Sequence, residues 1–215
     1  MLIRLEQIDK RYKTLRRTRE VFSGLNLTID DGKFTLLKGE SGSGKSTLIN
    51  LLLGFTPADS GKVYYEDTEF TGLDESSKAA FRRENIGVVT QDSSLISYLT
   101  VDENIVLAAG EGKLSRKERE DLLDIVGLKD CIDAYPGELS GGEIKRAAIA
   151  RAVAGNPHTI LMDEPTANLD KENVRRVLNL LRKKAAEGNT VIISSHEEDA
   201  REYADVTVDL DLAKE

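Results

Sequence analysis

The sequence predicts an α/β fold: a core with a mostly parallel sheet, an antiparallel β subdomain and an inserted α-helical subdomain. Three observations carry this. Short apolar runs at residues 34–38, 86–90, 159–162 and 190–194 read as buried strands, separated by stretches with helical character. Strands that alternate with helices in this way build a parallel sheet. A glycine-rich turn, Gly39-Glu-Ser-Gly-Ser-Gly-Lys-Ser-Thr47, joins the first run to the apolar helix start at 47–53. From residue 92 to about 154 the chain changes character and becomes mostly helical.

Each element has its own local reason. Residues 2–8 alternate in part, as an edge or half-buried strand does, and Tyr12 follows them. Residues 16–20 are charged and read as an exposed hairpin or loop. Residues 25–29 form a second alternating strand, closed by the turn Asp30-Asp31-Gly32. Residues 57–61 are a turn and 62–66 a short strand. Gln91 stands at the end of the 86–90 strand. Ser115 and Glu118 form a capping box, Leu122, Leu123 and Val126 an apolar face, and Gly127 suits the C-cap. Residues 159–162 end in Asp163-Glu164. Val174, Val177, Leu178 and Leu181 mark one helical face, closed by Gly188. His196 lies just beyond the 190–194 strand, and 206–212 alternates as a final strand. The expected organisation is one domain over residues 1–215, with a core of 1–91 and 155–215 around a helical subdomain of 92–154.

Composition bounds the function. The chain has 215 residues, 40% apolar and 32% charged, an ordinary soluble globular balance with enough length for one good core. No stretch approaches ~18 consecutive apolar residues, so no membrane-spanning helix is expected. Residues 1–7 alternate and carry charge, unlike a signal peptide. The single cysteine, Cys131, excludes an internal disulfide, fits a reducing cytosol, and has the surroundings of a packing residue rather than a reactive thiol. The net charge of −8 weighs against nucleic acid as the main partner.

The chemistry concentrates at strand ends, where ligands sit in such sheets. Gly39, Gly44, Lys45 and Ser46 occupy the fixed positions of G-x-x-x-x-G-K-[ST], the phosphate-binding loop of a P-loop NTPase core. Successive N–H groups of Gly39, Ser41, Gly42, Ser43 and Gly44 can form an anion nest, and the helix from Lys45 through Thr47 adds its positive end. Lys45 can reach the β- and γ-phosphates, and the Ser46 hydroxyl can ligate Mg²⁺. The plainer reading is a Gly/Ser turn that happens to hold a lysine. Asp163 ends an apolar strand, the arrangement in which a carboxylate holds Mg²⁺; Glu164, next to it, can face an attacking water as general base. Both could instead form a solvated acidic turn. His196 could be a capping or surface histidine, and His158, in a loop, is assigned no role. Leu139-Ser-Gly-Gly-Glu143 reads as a capping box from Ser140 to Glu143. Its two glycines also suit a second anion site, because they weaken a helix start unless something must approach the backbone.

The ordered set of these motifs resembles the ATP-binding cassette (ABC) family over essentially the whole chain. Residues 39–47 resemble Walker A, Gln91 the Q-loop, 139–143 the signature, 159–164 Walker B, Ala167-Asn-Leu-Asp170 the D-loop, and His196 the switch histidine. Tyr12 matches the aromatic that stacks on adenine. The resemblance implies a head-to-tail homodimer that binds ATP and Mg²⁺ between one chain's Walker A and the other's Ser140, Gly141 and Gly142. It implies Glu164, His196 and Gln91 as catalytic residues. Mg²⁺ would be held by Ser46, Gln91 and Asp163, and Asp170 would stand at the nucleotide interface. It further implies an integral-membrane permease as partner, met by the 92–154 segment, with the chain cytoplasmic and peripheral on the inner face of the cell membrane. Tyr98 to Ile105 and Pro136 to Glu143 are similar to the lipoprotein-release, macrolide-export and antimicrobial-peptide-transport group. The chain departs from many relatives at Glu143, where they have Gln. It also departs at Ile144-Lys145, where that group has a polar or basic residue followed by Gln.

The leading expectation is therefore the ATPase subunit of a transporter, of export or mechanotransmission type. The alternatives are a soluble ABC ATPase acting on nucleic acid or the ribosome, and a cassette that binds ATP without turnover. Sustained heptads, cysteine clusters and a second cassette would favour the former and are not seen. The basic run Arg175, Arg176, Arg182, Lys183 and Lys184 reads as a solvated helix face. Glu164 argues against the latter.

Overall fold

A computed structural model describes residues 1–13, 18–92, 95–195 and 198–212. The chain opens with β1 (Ile3–Lys13), β2 (Thr18–Ile29), β3 (Phe34–Lys38) and α1 (Lys45–Leu52). Then come β4 (Ser60–Tyr65), β5 (Thr68–Glu69), α2 (Glu75–Asn85) and β6 (Ile86–Val89). Three helices follow, α3 (Val101–Ala109), α4 (Arg116–Ile125) and α5 (Gly141–Ala154). The chain closes with β7 (Thr159–Asp163), α6 (Lys171–Ala186), β8 (Thr190–Ser194) and β9 (Val206–Asp209).

The apolar runs pair side by side in one parallel sheet, in the order β6-β7-β8-β3-β9. The inner strands β7, β8 and β3 are buried on both faces, while β9 is partly exposed at the edge, and the side chains sort by alternation. Phe34, Leu36, Ile160, Met162, Val191 and Ile193 join a core with α3, α4, α5 and α6. Leu37, Leu161 and Ile192 point the other way, onto α1 and the second sheet. That second sheet is antiparallel, in the order β2-β1-β4-β5. Helix α1 thus lies between two sheets, with Leu48, Ile49, Leu51 and Leu52 all buried. Burying each such side chain contributes roughly 1.5–3 kcal/mol, so the loop that starts α1 rests on a rigid support.

The α/β class with parallel sheet, antiparallel sheet and helices is as expected, and three boundaries differ. β1 runs on to Lys13 and β2 starts at Thr18, so the charged residues 18–20 are strand rather than loop; residues 14–17 lie outside the described set. Backbone pairing carries these polar ends: Lys10 faces Phe22, Tyr12 faces Arg19 and Lys13 faces Thr18. The final strand stops at Asp209, and Leu210 beyond it is buried. Helix α2 gave no apolar period because it buries no residue; its start is set by Asp74, whose side chain accepts from the Ser77 N–H. The Ser115–Glu118 and Ser140–Glu143 capping boxes are both formed. Cys131 is half-buried against the larger core, and burial pushes its thiol pKa up, which suits packing and not reactivity.

Candidate active site

The loop between β3 and α1 follows from its glycines. Gly44 precedes the helix at φ +108, where an added Cβ would lie 2.7 Å from Val21 Cγ1. At Gly39, φ +150, a Cβ would fall within 2.4 Å of Ser43 Oγ. Side chains other than hydrogen are excluded at both places; within the loop the Glu40 N–H donates to the Asp211 carboxylate at 2.7 Å and the Ser43 N–H to the Glu40 carbonyl at 3.0 Å. Ser43 Oγ is buried with no hydrogen-bond partner, a polar atom that the chain itself does not satisfy beside an anion nest. Lys45 is buried, and its ammonium donates to the carbonyls of Gly39 at 2.7 Å and Glu40 at 3.1 Å. The loop therefore holds a cation folded against it.

The parallel sheet then brings distant residues to this loop. One hollow of about 250 Å³ is lined by Tyr12, Ser41, Gly42, Gly44, Lys45, Ser46, Thr47, Gln91 and Glu164. Of the residues anticipated around the phosphates and Mg²⁺ in this chain, Gly39, Ser43 and Asp163 do not line the hollow. Tyr12 is 41% exposed, an open aromatic face on β1, with Lys10 Nζ 5.2 Å from its ring centre. Asp163 is buried at the end of β7 and accepts a hydrogen bond from Ser194 Oγ of the neighbouring β8. The same hydroxyl accepts from the Glu164 N–H at 2.9 Å. Glu164 sits half-buried at φ +49, a backbone conformation uncommon for a residue with a Cβ.

The signature residues open elsewhere. Gly141 and Gly142 line a second hollow of about 370 Å³ with Asp92, Ile144, Lys145, Ala167 and Asn168. Gln91 lines both hollows. Ser140 N–H and Oγ–H donate to the Glu143 carboxylate at 2.8 and 2.7 Å, and the Ser140 side-chain bond holds that carboxyl below its ordinary pKa. An added Cβ at Gly141 would meet nothing within 4 Å. Asp170 lines neither hollow. It caps α6, accepting from the Asn173 N–H at 3.0 Å, and that bond lowers its pKa. His196 lies outside the described residues.

Sequence reasoning missed three side chains here. Arg19 lines the first hollow and donates to the Gly42 carbonyl at 2.5 Å. Ser194 holds both Asp163 and Glu164. Lys145 Nζ donates to the carbonyls of Glu164 and Ala167, each at 3.1 Å. Burial lowers the Lys145 pKa, against the opposing charges of Glu164 and Asp163. The signal for Ser194 was a hydroxyl ending an apolar strand. For Arg19 the sequence showed only ordinary surface charge, and Lys145 stood out only as a departure from the resembling group, with no role attached.

The family model described as ABC transporter matches residues 22–167. The chain is similar to HrtA of Staphylococcus haemolyticus, described as a candidate hemin import ATP-binding protein: 37% identity, covering 100% of this chain and 99% of that one. It is also similar to the lipoprotein-releasing system ATP-binding protein LolD of Saccharophagus degradans, at 39% identity over 89% of this chain and 86% of that one. Among solved structures, the dimeric post-hydrolysis state of the ATP-binding cassette MJ0796 bound to ADP and Pi superposes with a TM-score of 0.88. The two are 32% identical, over 96% of this chain and 93% of that one.

Proposed function

The chain belongs to the ABC transporter family as an ATP-hydrolysing subunit, and on that premise we propose that it hydrolyses MgATP at two composite sites of a head-to-tail homodimer. The work drives a separate membrane permease, of export or mechanotransmission type. One observation carries this reading. Tyr12, Lys45, Ser46, Gln91 and Glu164 share one hollow, while Gly141 and Gly142 open on another. A single chain thus holds two incomplete anion sites, and a second copy turned head to tail completes both.

In this reading the exposed ring of Tyr12 stacks on the adenine. The nest and Lys45 bind the phosphates, and Arg19 adds a second cation at the mouth. Ser140, Gly141 and Gly142 of the other copy contact the γ-phosphate. Ser46, Asp163 and Gln91 offer hydroxyl, carboxylate and amide oxygens, a hard donor set that fits Mg²⁺ together with phosphate oxygens and water. When bound, that ion would neutralise charge developing on the transferred phosphoryl group. Glu164, with its backbone fixed by Ser194, takes the proton of the attacking water, and general-base help of this kind contributes roughly 10²–10⁴-fold.

We assign the permease contact to the surface beside β6 and α3. A hollow of about 590 Å³ there is lined by Val88, Ile96, Leu107 and Arg151, among others. Leu107 is 63% exposed and Tyr98, near it in the chain, 78%, apolar area that a partner helix would cover. Among the described residues no helix is long and apolar enough to cross a membrane, and docking on a permease would hold the chain peripherally at the inner face. The subdomain division at 1–91, 92–154 and 155–215 belongs to the same reading.

The test is Glu164→Gln used as bait in mildly solubilised membranes. With ATP and Mg²⁺ it is expected to form a stable dimer, to lose turnover, and to capture a multi-span membrane protein stoichiometrically. Normal hydrolysis by the variant would overturn the assignment of the base. Capture of ribosomes or DNA-associated proteins, with no membrane protein, would overturn the partner.

A further inference from the structure

Lys145 has no part in the chemistry assigned so far. It stands on α5 just beyond Gly141 and Gly142 and immediately before Arg146. The two cations turn opposite ways. Arg146 Nη1 donates to the carbonyls of Val126 and Gly127, at 2.7 and 3.0 Å, and ties α5 to the end of α4. Lys145 Nζ reaches instead to Glu164 and Ala167, whose carbonyls flank the turn leaving β7.

That turn needs holding. Glu164 has φ +49 and Asn168 φ +64, both in the left-handed region that residues with a Cβ seldom adopt. On one side the Glu164 N–H donates to Ser194 Oγ on β8, at 2.9 Å. On the other side the Glu164 carbonyl accepts from Lys145 on α5. The backbone of the residue read as the base is thus gripped from two elements distant in sequence. The ammonium also suits the place electrically: it faces two carbonyl dipoles and feels the carboxylates of Asp163 and Glu164. A charged donor makes stronger bonds here than a neutral amide would.

We propose that Lys145 is a positioning residue: by bonding the Glu164 and Ala167 carbonyls it clamps the hydrolytic turn to the signature helix of the same chain. The proposal rests on the reading of Glu164 as base. Because α5 also presents Gly141 and Gly142 to the other copy's nucleotide, this clamp links one chain's grip on its partner's ATP to the set of its own catalytic turn.

The experiment compares Lys145→Met, Lys145→Gln and Lys145→Arg as purified dimers. Lys145→Met is expected to lower kcat by about 10–100-fold, the scale of a misplaced catalytic group, while KM for ATP stays within about twofold. Lys145→Arg, which keeps charged donors, is expected to recover most of the loss and Lys145→Gln part of it. Unchanged kcat in Lys145→Met, or a loss that neither replacement relieves, overturns the proposal. A mixed dimer then separates the two directions in which Lys145 could act. Lys145→Met chains are paired with Glu164→Gln chains, so that the one site with a base takes its signature from a chain with intact Lys145. Action within the chain keeps this dimer as slow, relative to a wild-type chain paired with Glu164→Gln, as Lys145→Met is relative to wild type. Full recovery would mean that Lys145 serves the partner's phosphate across the interface, and would overturn the clamp. Pairing Ser140→Arg with Lys45→Ala checks the dimer itself. If no ATP-driven dimer forms there, the head-to-tail reading fails, while the kcat of the Lys145 homodimers still decides the clamp.

Discussion

The N-termini of α1 and α5 both point backbone N–H groups into a hollow, yet they are finished in different ways. Helix α1 is preceded by Gly44 in a left-handed conformation, with no side chain to cap it and the buried Lys45 ammonium beside it. Helix α5 is capped by its own chain: Ser140 accepts from the Glu143 N–H, and the Glu143 carboxylate takes the Ser140 N–H and hydroxyl. The first helix start leaves its donors for a ligand and fixes them with strained glycines. The second satisfies itself until something better arrives. In the proposed dimer, a phosphate of another copy's nucleotide would have to displace or share a carboxylate to reach Ser140. On that proposal the capping box and the anion site are two states of one helix start, not rival descriptions of it.

The comparison breaks most severely at Gly44. A Cβ there would meet Val21 Cγ1 at 2.7 Å and Phe22 Cζ at 2.9 Å, at a φ of +108. Strain and clash together cost on the order of 3 kcal/mol, and they fall on the loop that must present its N–H groups. Gly44→Ala is expected to weaken ATP binding to the isolated chain by about 100-fold, measured by calorimetry, with the circular dichroism of a folded protein. Affinity within about tenfold of the parent would mean that the nest is not what binds the phosphates.

Glu143→Gln sharpens the comparison with a smaller effect. The amide can keep the cap on Ser140 but removes a negative charge from the hollow. In a Glu164→Gln background, the ATP concentration giving half-maximal dimer is expected to fall severalfold, measured by size-exclusion chromatography. The acid limb should change as well. The Glu143 carboxyl is held below its ordinary value by Ser140. Its contribution to folding is thus present at neutral pH and lost as pH falls through that depressed value. The Gln variant lacks this limb. An unchanged or higher ATP requirement would show that the carboxylate does not compete with the phosphate.

How much of this was legible in the sequence depended on how local each feature is. The parallel strands read clearly because burial on both faces leaves an apolar run, and Gln91 and Glu164 could be placed at one sheet edge from strand ends alone. Lys45 and Ser46 came from spacing, and Tyr12 from the family resemblance. Arg19 could not be found in this way, and Ser194 showed only as a hydroxyl ending an apolar strand. Their roles exist only through register, Tyr12 opposite Arg19 and Asp163 beside Ser194, between segments that spacing does not connect. Lys145 was hidden for a related reason. Its bonds are to carbonyls, which every residue carries. Helix α2 escaped because a helix with no buried residue has no apolar period. Asp170, which the family resemblance places at the nucleotide interface, caps α6 within its own chain.

The smallest expected effect is also the one that separates the two helix starts most cleanly. Gly141 is the first residue of α5, and a Cβ added there would meet no atom within 4 Å. Its φ is not among the positive ones. Nothing in its own chain asks for a glycine, in contrast to Gly44. Alanine is the better helix former, and the advantage at a first-turn position is a few tenths of a kcal/mol. Gly141→Ala is therefore expected to raise folding stability by about that amount in urea titrations, with ATP binding to the isolated chain unchanged. A loss of more than ~1 kcal/mol would show that α5 starts against its own chain and that the glycine is a packing requirement. A small gain means that the residue is costly to the chain that carries it. The reason for its absent side chain then lies in whatever the α5 N-terminus meets from outside.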